Sequence, residues 1–382
     1  MNTVQSDLPT LRLDVALQFE SRAVKPHLKR GIILLPGPEF TYVGRIDRGL
    51  EVASPARISL SDMDGTHTCQ ELSLAREIPL EDIETLVTEL DRASLIDTYS
   101  SKISVHNRFH SPNINRASHD GDDSNDGAFQ QLKARLVPEL ASATWISGVR
   151  DGGAQIVSKR QEWQVRICGE SRIATLLYGI LLASGFTNTS LQAHNSSKRI
   201  GEEDLCAGFF HPSDIGLQLE KRSSELTREL SLFPIGPSNK PEETGTKPLM
   251  IAVGAVSADQ IQQWMSQGIP HLIIGIPESE SIEIGPIVIP GKSPCARCVA
   301  MTREDQNPTW KEITLQKVLM PSVEVPVAVA HHVAGIAALE LLHYVDEGLS
   351  PLIGASSRVN FHGPLASDKQ TFARHPACGC NW

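Results

Sequence analysis

The stretch VRICGESRIATLLYGILLAS, residues 165–184, combines a short apolar strand, a turn at Gly169 and a long apolar helix. Residues 165–168 predict the strand, and residues 173–184 predict the helix because nearly every position in them is apolar. A strand that turns at a glycine into a helix is the first unit of a nucleotide-binding α/β fold. This stretch therefore indicates an α/β domain with a Rossmann-type sheet.

Strands and helices continue to alternate after this stretch. Apolar runs at 189–193, 249–253 and 271–276 predict three more strands, and the amphipathic segment 258–266 predicts a helix between the last two. Strands that alternate with helices predict a parallel sheet with right-handed crossovers. A further helix is predicted around 214–232.

The loop at Gly169 departs from the G-x-G-x-x-G/A pattern that binds nucleotides. Gly169 and Ala174 match its first and last positions, but Ser171 replaces the middle glycine, which lets the backbone approach a phosphate. Ser171 is expected to cap the helix instead, and Glu170 adds negative charge where a phosphate would lie. Residues 189–195 contain no acid to hold a ribose. We interpret the loop as a degenerate nucleotide site, which argues against ATP as a cofactor.

Two close pairs of cysteines predict a metal site. Cys295 and Cys298 form a Cys-x-x-Cys turn, and Cys378 and Cys380 form a Cys-x-Cys turn near the end of the chain. Four thiolates complete the tetrahedral shell of a structural zinc ion, which would tie the last residues back onto the fold. A redox-active Cys-x-x-Cys and four unligated thiols are the alternatives. The other cysteines stand alone and are expected to be buried apolar side chains: Cys69, Cys168 and Cys206.

The first 100 residues predict a small winged-helix-like α+β domain. Short apolar runs separated by Pro and Gly predict strands at 11–19, 31–35, 41–46 and 50–53. Three short helices follow, and the third, which begins after Pro79, has one apolar face. Its acidic residues argue against phosphate binding and favour a peptide or protein partner, with a purely structural domain as the alternative. These acidic residues are Glu81, Asp82, Glu84, Glu89 and Asp91.

Composition also separates the chain into parts. Residues 101–128 are dense in Ser, Asn, Asp and His and have almost nothing to bury, so they predict a polar linker between the first domain and a second domain at 129–382. A second flexible stretch is predicted at 233–247, where three prolines alternate with Gly and Thr.

Charge and hydropathy exclude several classes of protein. The 382 residues carry a net charge of -10, so the field of the whole protein would repel a nucleic acid. The longest nearly unbroken apolar run, 174–186, is shorter than the ~17–25 residues of a membrane-spanning helix. Residues 1–7 have no basic or apolar region of a signal peptide. We therefore expect a cytoplasmic protein that binds neither nucleic acid nor membrane.

The chain resembles the ThiF-like proteins, relatives of the ubiquitin-activating enzymes, over about residues 160–382. The resemblance lies in PHL at 270–272, IGPIVIPGKSPCARC at 284–298 and HPACGC at 375–380. More closely, the chain is similar to the leader-peptide-binding proteins that accompany cyclodehydratases in the biosynthesis of thiazole/oxazole-modified peptides (TOMMs). Further matching positions are Arg303, Asp305, Pro308, Thr309 and Trp310.

This resemblance implies a non-catalytic, zinc-containing scaffold. Such proteins bind a precursor peptide through the winged-helix element and present it to a separate YcaO-type cyclodehydratase. ThiF-like relatives are commonly dimers, so the resemblance also implies a homodimer. Adenylating members have a glycine-rich loop, a ribose-binding acid and a basic residue where this chain has Leu219, so the departures imply a pseudoenzyme or a partner subunit. An active ATP-dependent adenylyltransferase of the ThiF type is the rival hypothesis, and an interaction protein unrelated to peptide modification is the third.

Overall fold

The structure is a computed structural model that describes residues 24–53, 60–98, 126–205, 209–232, 246–278, 280–319, 325–362 and 368–380. The chain divides into two compact units, each with its own hydrophobic core. The first unit comprises Met1–Ser101 and Ser147–Gly152, and the second comprises Lys102–Ile146 and Gly153–Trp382. The segment 147–152 thus clusters with the first unit, although it follows the boundaries predicted at residues 100 and 128.

The first unit contains two small antiparallel sheets and two helices among its described residues. Strands β2, β3 and β4 form a meander in that order, and β1 pairs with β5. Where the sequence predicts a first short helix, the structure has a single 3-10 turn, Leu60–Asp62. The strand predicted at 11–19 lies outside the described residues. The elements are β1 (His27–Leu28), β2 (Ile33–Pro36), β3 (Phe40–Gly44), β4 (Gly49–Ala53), α1 (Cys69–Arg76), α2 (Leu80–Arg92) and β5 (Ile96–Asp97).

The two helices of this unit follow local sequence signals. A capping box starts α1, since the Thr68 hydroxyl accepts a hydrogen bond from the Glu71 amide and the Glu71 carboxylate accepts one from the Thr68 amide. Helix α2 buries Ile83, Leu86 and Leu90 on one face, as the apolar spacing predicts. The winged-helix arrangement itself stays a prediction.

Buried charges tie the segment 147–152 into the first unit. The Lys29 ammonium is buried, donates to the Val149 carbonyl at 2.9 Å and lies 3.8 Å from the Asp97 carboxylate. Burial lowers the pKa of Lys29, against the opposing effect of Asp97. Arg150 pairs with Asp91 at 2.8 Å. A deletion that ends at residue 100 would therefore remove the partners of Val149 and Arg150.

The second unit is built on a seven-stranded mixed sheet of order β12-β11-β10-β9-β8-β6-β7. Strands β9, β8, β6 and β7 are parallel, whereas β10, β11 and β12 run antiparallel to their neighbours. The four strands for which the sequence predicts a parallel sheet are therefore parallel, whereas the antiparallel strands β10, β11 and β12 were not predicted. The link between β9 and β10 is too short for a parallel crossover, which needs about a dozen residues. The strands are β6 (Trp163–Cys168), β7 (Asn188–Gln192), β8 (Lys247–Val253), β9 (His271–Ile274), β10 (Ser281–Val288), β11 (Ala355–Asn360) and β12 (Asp368–Thr371).

Helices α5 and α10 lie in the core of this unit. Helix α10 packs against α5 through a buried stripe that includes Ala330, Ala334 and Ala337, whose small side chains allow close approach. Among the described helices, α10 is long and apolar enough to cross a membrane by length and composition, and 33% of its most apolar window is buried inside the protein. The helices are α3 (Asp126–Ala143), α4 (Ala154–Lys159), α5 (Arg172–Ala183), α6 (Leu219–Leu230), α7 (Ala258–Ser266), α8 (Ala296–Gln306), α9 (Trp310–Leu319) and α10 (Val327–Glu347).

Candidate metal centre

The two cysteine pairs lie on two segments that meet in the second unit. Cys295 is the N-cap residue of α8, and Cys298 lies in the first turn of that helix. Cys378 and Cys380 lie in the tail that follows β12. The fold therefore brings together residues that are far apart in the sequence, and three of these four cysteines are buried.

The distances between the four sulfur atoms suit one tetrahedral metal ion. The Sγ of Cys295 lies 3.8 Å from that of Cys298 and 3.6 Å from that of Cys378, and Cys298 and Cys380 are 3.3 Å apart. All four atoms lie within 4.8 Å of one another. A zinc ion with bonds of about 2.3 Å places its thiolates about 3.8 Å apart. The cluster could therefore hold a metal ion and is compatible with zinc, and four ligands would leave no position for a substrate.

The thiols differ in how readily they ionise. Burial acts to raise the pKa of Cys298, but hydrogen bonds from the backbone at His375 and Cys295 outweigh it and bring this pKa to about 7. Burial raises the pKa of Cys295. It also raises the pKa of Cys380, together with contacts to the neighbouring thiols. Ligation requires thiolates, so a bound cation would supply the charge that stabilises the ionised set.

A histidine links the tail to α8 beside the cysteines. The His375 Nδ1 accepts a hydrogen bond from the Ala377 amide at 3.2 Å, so its Nε2 donates to the Asp305 carboxylate at 2.9 Å. The His375 carbonyl accepts from the Cys378 amide at 3.0 Å. Asp305, which the sequence analysis picked out, thus holds the loop that carries Cys378.

Arg303 occupies the centre of a second link between these segments. Its guanidinium carbon lies 5.0 Å from the ring centre of Trp310 and 5.2 Å from that of Phe372. The guanidinium also pairs with Glu283 on β10. Phe372 and Glu283 are absent from the sequence-based candidates because neither belongs to a recognisable motif.

The degenerate nucleotide loop keeps its strand–turn–helix geometry. A Cβ on Gly169 would lie 2.8 Å from the Val253 carbonyl oxygen, so the close approach of β8 requires glycine here. Ala174 is fully buried, and α5 begins after Ser171. The Ser171 side chain accepts no hydrogen bond from the helix, so the prediction that it caps α5 through its hydroxyl is wrong.

Carboxylates cover the backbone amides next to this loop. The Glu220 carboxylate accepts a hydrogen bond from the Ala193 amide at 2.8 Å, and the Glu170 carboxylate accepts one from the Asn195 amide at 3.4 Å. Arg172 donates to the carbonyls of Glu203 and Val325. The sequence did not predict these roles of Glu220 and Arg172, because the backbone groups that they contact are distant in the sequence.

Comparison with known proteins identifies the fold. No family model matches the chain, and no curated protein sequence matches it. MccB from E. coli with ATP matches at a TM-score of 0.58 and 15% identity, over 94% of this chain and 99% of MccB. The microcin C7 biosynthetic enzyme MccB with N-formylated MccA matches at a TM-score of 0.57 and 13% identity, over 94% of this chain and 99% of that one.

The heterocyclase TruD also matches, with a TM-score of 0.53 and 12% identity over 94% of this chain and 42% of TruD. At these identities the likeness shows the fold alone. The chain therefore has the α/β fold that MccB has. In this chain the fold contains a seven-stranded mixed sheet and a cysteine cluster near the end of the described residues.

Proposed function

We propose that this chain is a non-catalytic, zinc-containing, ThiF-like scaffold that binds a precursor peptide or a protein partner, as in TOMM biosynthesis. The observation that carries the proposal is the apolar outer face of the sheet β2-β3-β4, which lies beside a strand edge that no described residue pairs with. The binding domain is proposed to extend over residues 1–100 together with 147–152.

The sheet has apolar side chains on both faces. Val43 is fully buried and Leu34, its cross-strand partner, packs against the same core. Ile33, Leu35 and Phe40 lie on the opposite face and are 36%, 59% and 49% exposed. Among the described residues β2 pairs only with β3, so its other edge offers backbone groups to an extended peptide. A peptide added as a fourth strand would cover these side chains.

The charge of α2 indicates what else the partner contains. Glu81, Asp82 and Glu89 are exposed on this helix. A partner with basic residues would be attracted to them, and its association would weaken as salt rises. Alternating apolar residues with basic neighbours are therefore the proposed character of the bound segment.

Replacing Leu35 with lysine should weaken this binding at least tenfold. The change places a charge on the outer face without touching the core, so the full chain should still fold. Peptides selected from a display library against the full chain serve as probes, and fluorescence polarisation should show at least a tenfold weaker Kd for Leu35→Lys. Leu74→Lys is the matched control, since Leu74 is an exposed leucine on α1. Equal affinity of both variants would place the surface elsewhere.

The likeness to TruD supports a wider proposal. TruD is a heterocyclase, and this chain matches less than half of its length. We propose that the scaffold works in the cytoplasm and presents its peptide to a separate YcaO-type cyclodehydratase, as a monomer or a homodimer. Neighbouring genes for such an enzyme and for a short Cys/Ser/Thr-rich peptide would support this role, and their absence would favour an interaction protein unrelated to peptide modification.

An ATP-dependent adenylyltransferase is the second candidate function. MccB, which has the same fold, has been solved with ATP and with the MccA peptide. Against this function, carboxylates of Glu170 and Glu220 cover the amides beside the degenerate loop, and Ser171 replaces a glycine.

Calorimetry with ATP and magnesium distinguishes the two functions. We expect no measurable binding at millimolar ATP, since Ser171 replaces the glycine at which the backbone would approach a phosphate and Glu170 adds negative charge beside it. A micromolar Kd, which corresponds to about -8 kcal/mol, would favour the adenylyltransferase. The double variant Glu170→Ala, Ser171→Gly removes one carboxylate and restores a glycine. An ATP affinity that is the same in this variant and in the parent protein would indicate binding outside this loop.

A further inference from the structure

We propose that metal binding at Cys295, Cys298, Cys378 and Cys380 controls the docking of helix α9 on the second unit. Arg303 is the positioning residue that couples the metal centre to this helix. The inference rests on the metal centre and is independent of peptide binding. Helix α9 contributes no buried residue to the core of the second unit.

Helix α9 is attached by cations instead of by buried apolar side chains. None of its residues is buried. Leu315, Val318 and Leu319 are each more than half exposed. On the other side of α9, the Lys317 ammonium pairs with the Glu278 carboxylate at 2.5 Å and lies over the Trp310 ring. Since hydrophobic burial does not hold this helix, a change in a few polar contacts can release it.

The Trp310 ring is, beside Lys317, a second point at which α9 contacts the rest of the unit. It contacts the Arg303 guanidinium, whose second contact is the ring of Phe372 and whose ionic partner is Glu283. Because one guanidinium contacts two rings and a carboxylate, a shift of any one of these partners changes the contacts that it can make with the other two. Any movement of Phe372 relative to Arg303 therefore alters the surface on which Trp310 rests.

The two sides of this stack are carried by the two segments that bear the metal ligands. Arg303 lies on α8, which begins next to Cys295, and Phe372 directly follows β12 in the tail that carries Cys378. A metal ion bonded to thiolates from both segments would fix their separation, and with it the distance between Arg303 and Phe372. By linkage, whatever favours the docked helix also favours the bound metal, and the reverse holds equally.

Hydrogen exchange of the full chain tests this coupling. We expect a zinc chelator to speed exchange of amides 310–319 at least tenfold in the protein, while amides of α2 and α5 keep their rates. Metal analysis before and after chelation confirms that zinc was bound and removed. Unchanged exchange of α9 on zinc removal would overturn the proposal, and so would simultaneous exposure of α5, since the metal would then support the whole core.

The variant Arg303→Gln separates the positioning role from metal binding. With zinc bound, α9 of Arg303→Gln should exchange as fast as α9 of the chelated parent protein, and Arg303→Lys should restore part of the protection because it keeps the cation. Linkage also predicts faster loss of zinc from Arg303→Gln to a competing chelator. Lys311→Gln, an exposed cation on α9, is the matched control. Parental rates of both α9 exchange and zinc loss in Arg303→Gln would contradict the proposal.

Discussion

The variant Cys378→Ser should lose the zinc ion proposed for the four-cysteine cluster and should melt at a lower temperature than the parent protein. Cys378 is buried and lies 3.6 Å from Cys295, on the opposite segment of the cluster. A serine hydroxyl occupies nearly the same space but is a poor zinc ligand, so the ion would lose a bond and the tail its anchor. Metal analysis should show about one zinc per chain falling to nearly none.

The expected loss of stability is smaller than in isolated zinc fingers. In such peptides the metal contributes about 10 kcal/mol or more, whereas this unit has a large core of its own. A loss of a few kcal/mol would lower the melting temperature by about 5–10 °C in a domain of this size. Circular dichroism or scanning calorimetry measures the shift.

Cys168→Ser is the control for the loss of a thiol. Cys168 is half-buried at the end of β6, away from the four-cysteine cluster, and its replacement should leave the zinc content unchanged. If the parent protein contains no zinc when it is prepared without chelator, the cysteines are either a redox-active pair or unligated thiols. A disulfide between Cys295 and Cys298 on mild oxidation would then favour the redox-active hypothesis, and its absence would favour inert thiols.

The variant Arg160→Met should destabilise the second unit by about 3–5 kcal/mol, the usual cost of removing one partner of a buried ion pair. The Arg160 side chain is 3% exposed and makes a two-pronged contact with the Asp346 carboxylate, at 3.0 and 2.5 Å. It also donates to Glu139 at 2.6 Å and to the Ser184 carbonyl at 2.7 Å. These partners lie on α10, on α3 and after α5, so one side chain joins three helices.

Methionine fills similar volume but leaves the Asp346 carboxylate buried without a cation. Urea denaturation should show the loss in both midpoint and free energy. Arg228→Met, at an exposed arginine on α6, should change stability by less than about 0.5 kcal/mol. The double variant Arg160→Met, Asp346→Leu should recover much of the loss, because an apolar pair avoids the unpaired charge. If the double variant is as unstable as Arg160→Met, the unpaired carboxylate is not the cause.

Several elements could be predicted because their signals are local. Helix α7 begins and ends at the predicted residues, and α5 and β8 differ from their predicted bounds by two residues or fewer. Each of these elements has an apolar pattern of the right period along a continuous stretch. The predicted helix at 214–232 begins later, at Leu219, because a 3-10 turn, Pro212–Asp214, precedes it.

Strands β11 and β12 had no comparable signal. Strand β12 is exposed at every position, and β11 contains Ser356 and Ser357 at buried positions. Their strand conformation depends on backbone pairing with neighbours distant in sequence. These two strands therefore carry no apolar periodicity by which the sequence could predict them.

The sequence alone determined the strand–glycine–helix start of the α/β unit, the loss of the nucleotide-binding glycine at Ser171 and the four cysteines of the candidate metal centre. These features lie within short stretches, where propensity, periodicity and ligand spacing act between neighbours. Only the tertiary structure decided the mixed sheet, the addition of segment 147–152 to the first unit, the stack around Arg303 and the buried contacts of Arg160. Each of these depends on side chains or backbone groups far apart in the sequence, which meet only after the chain has packed.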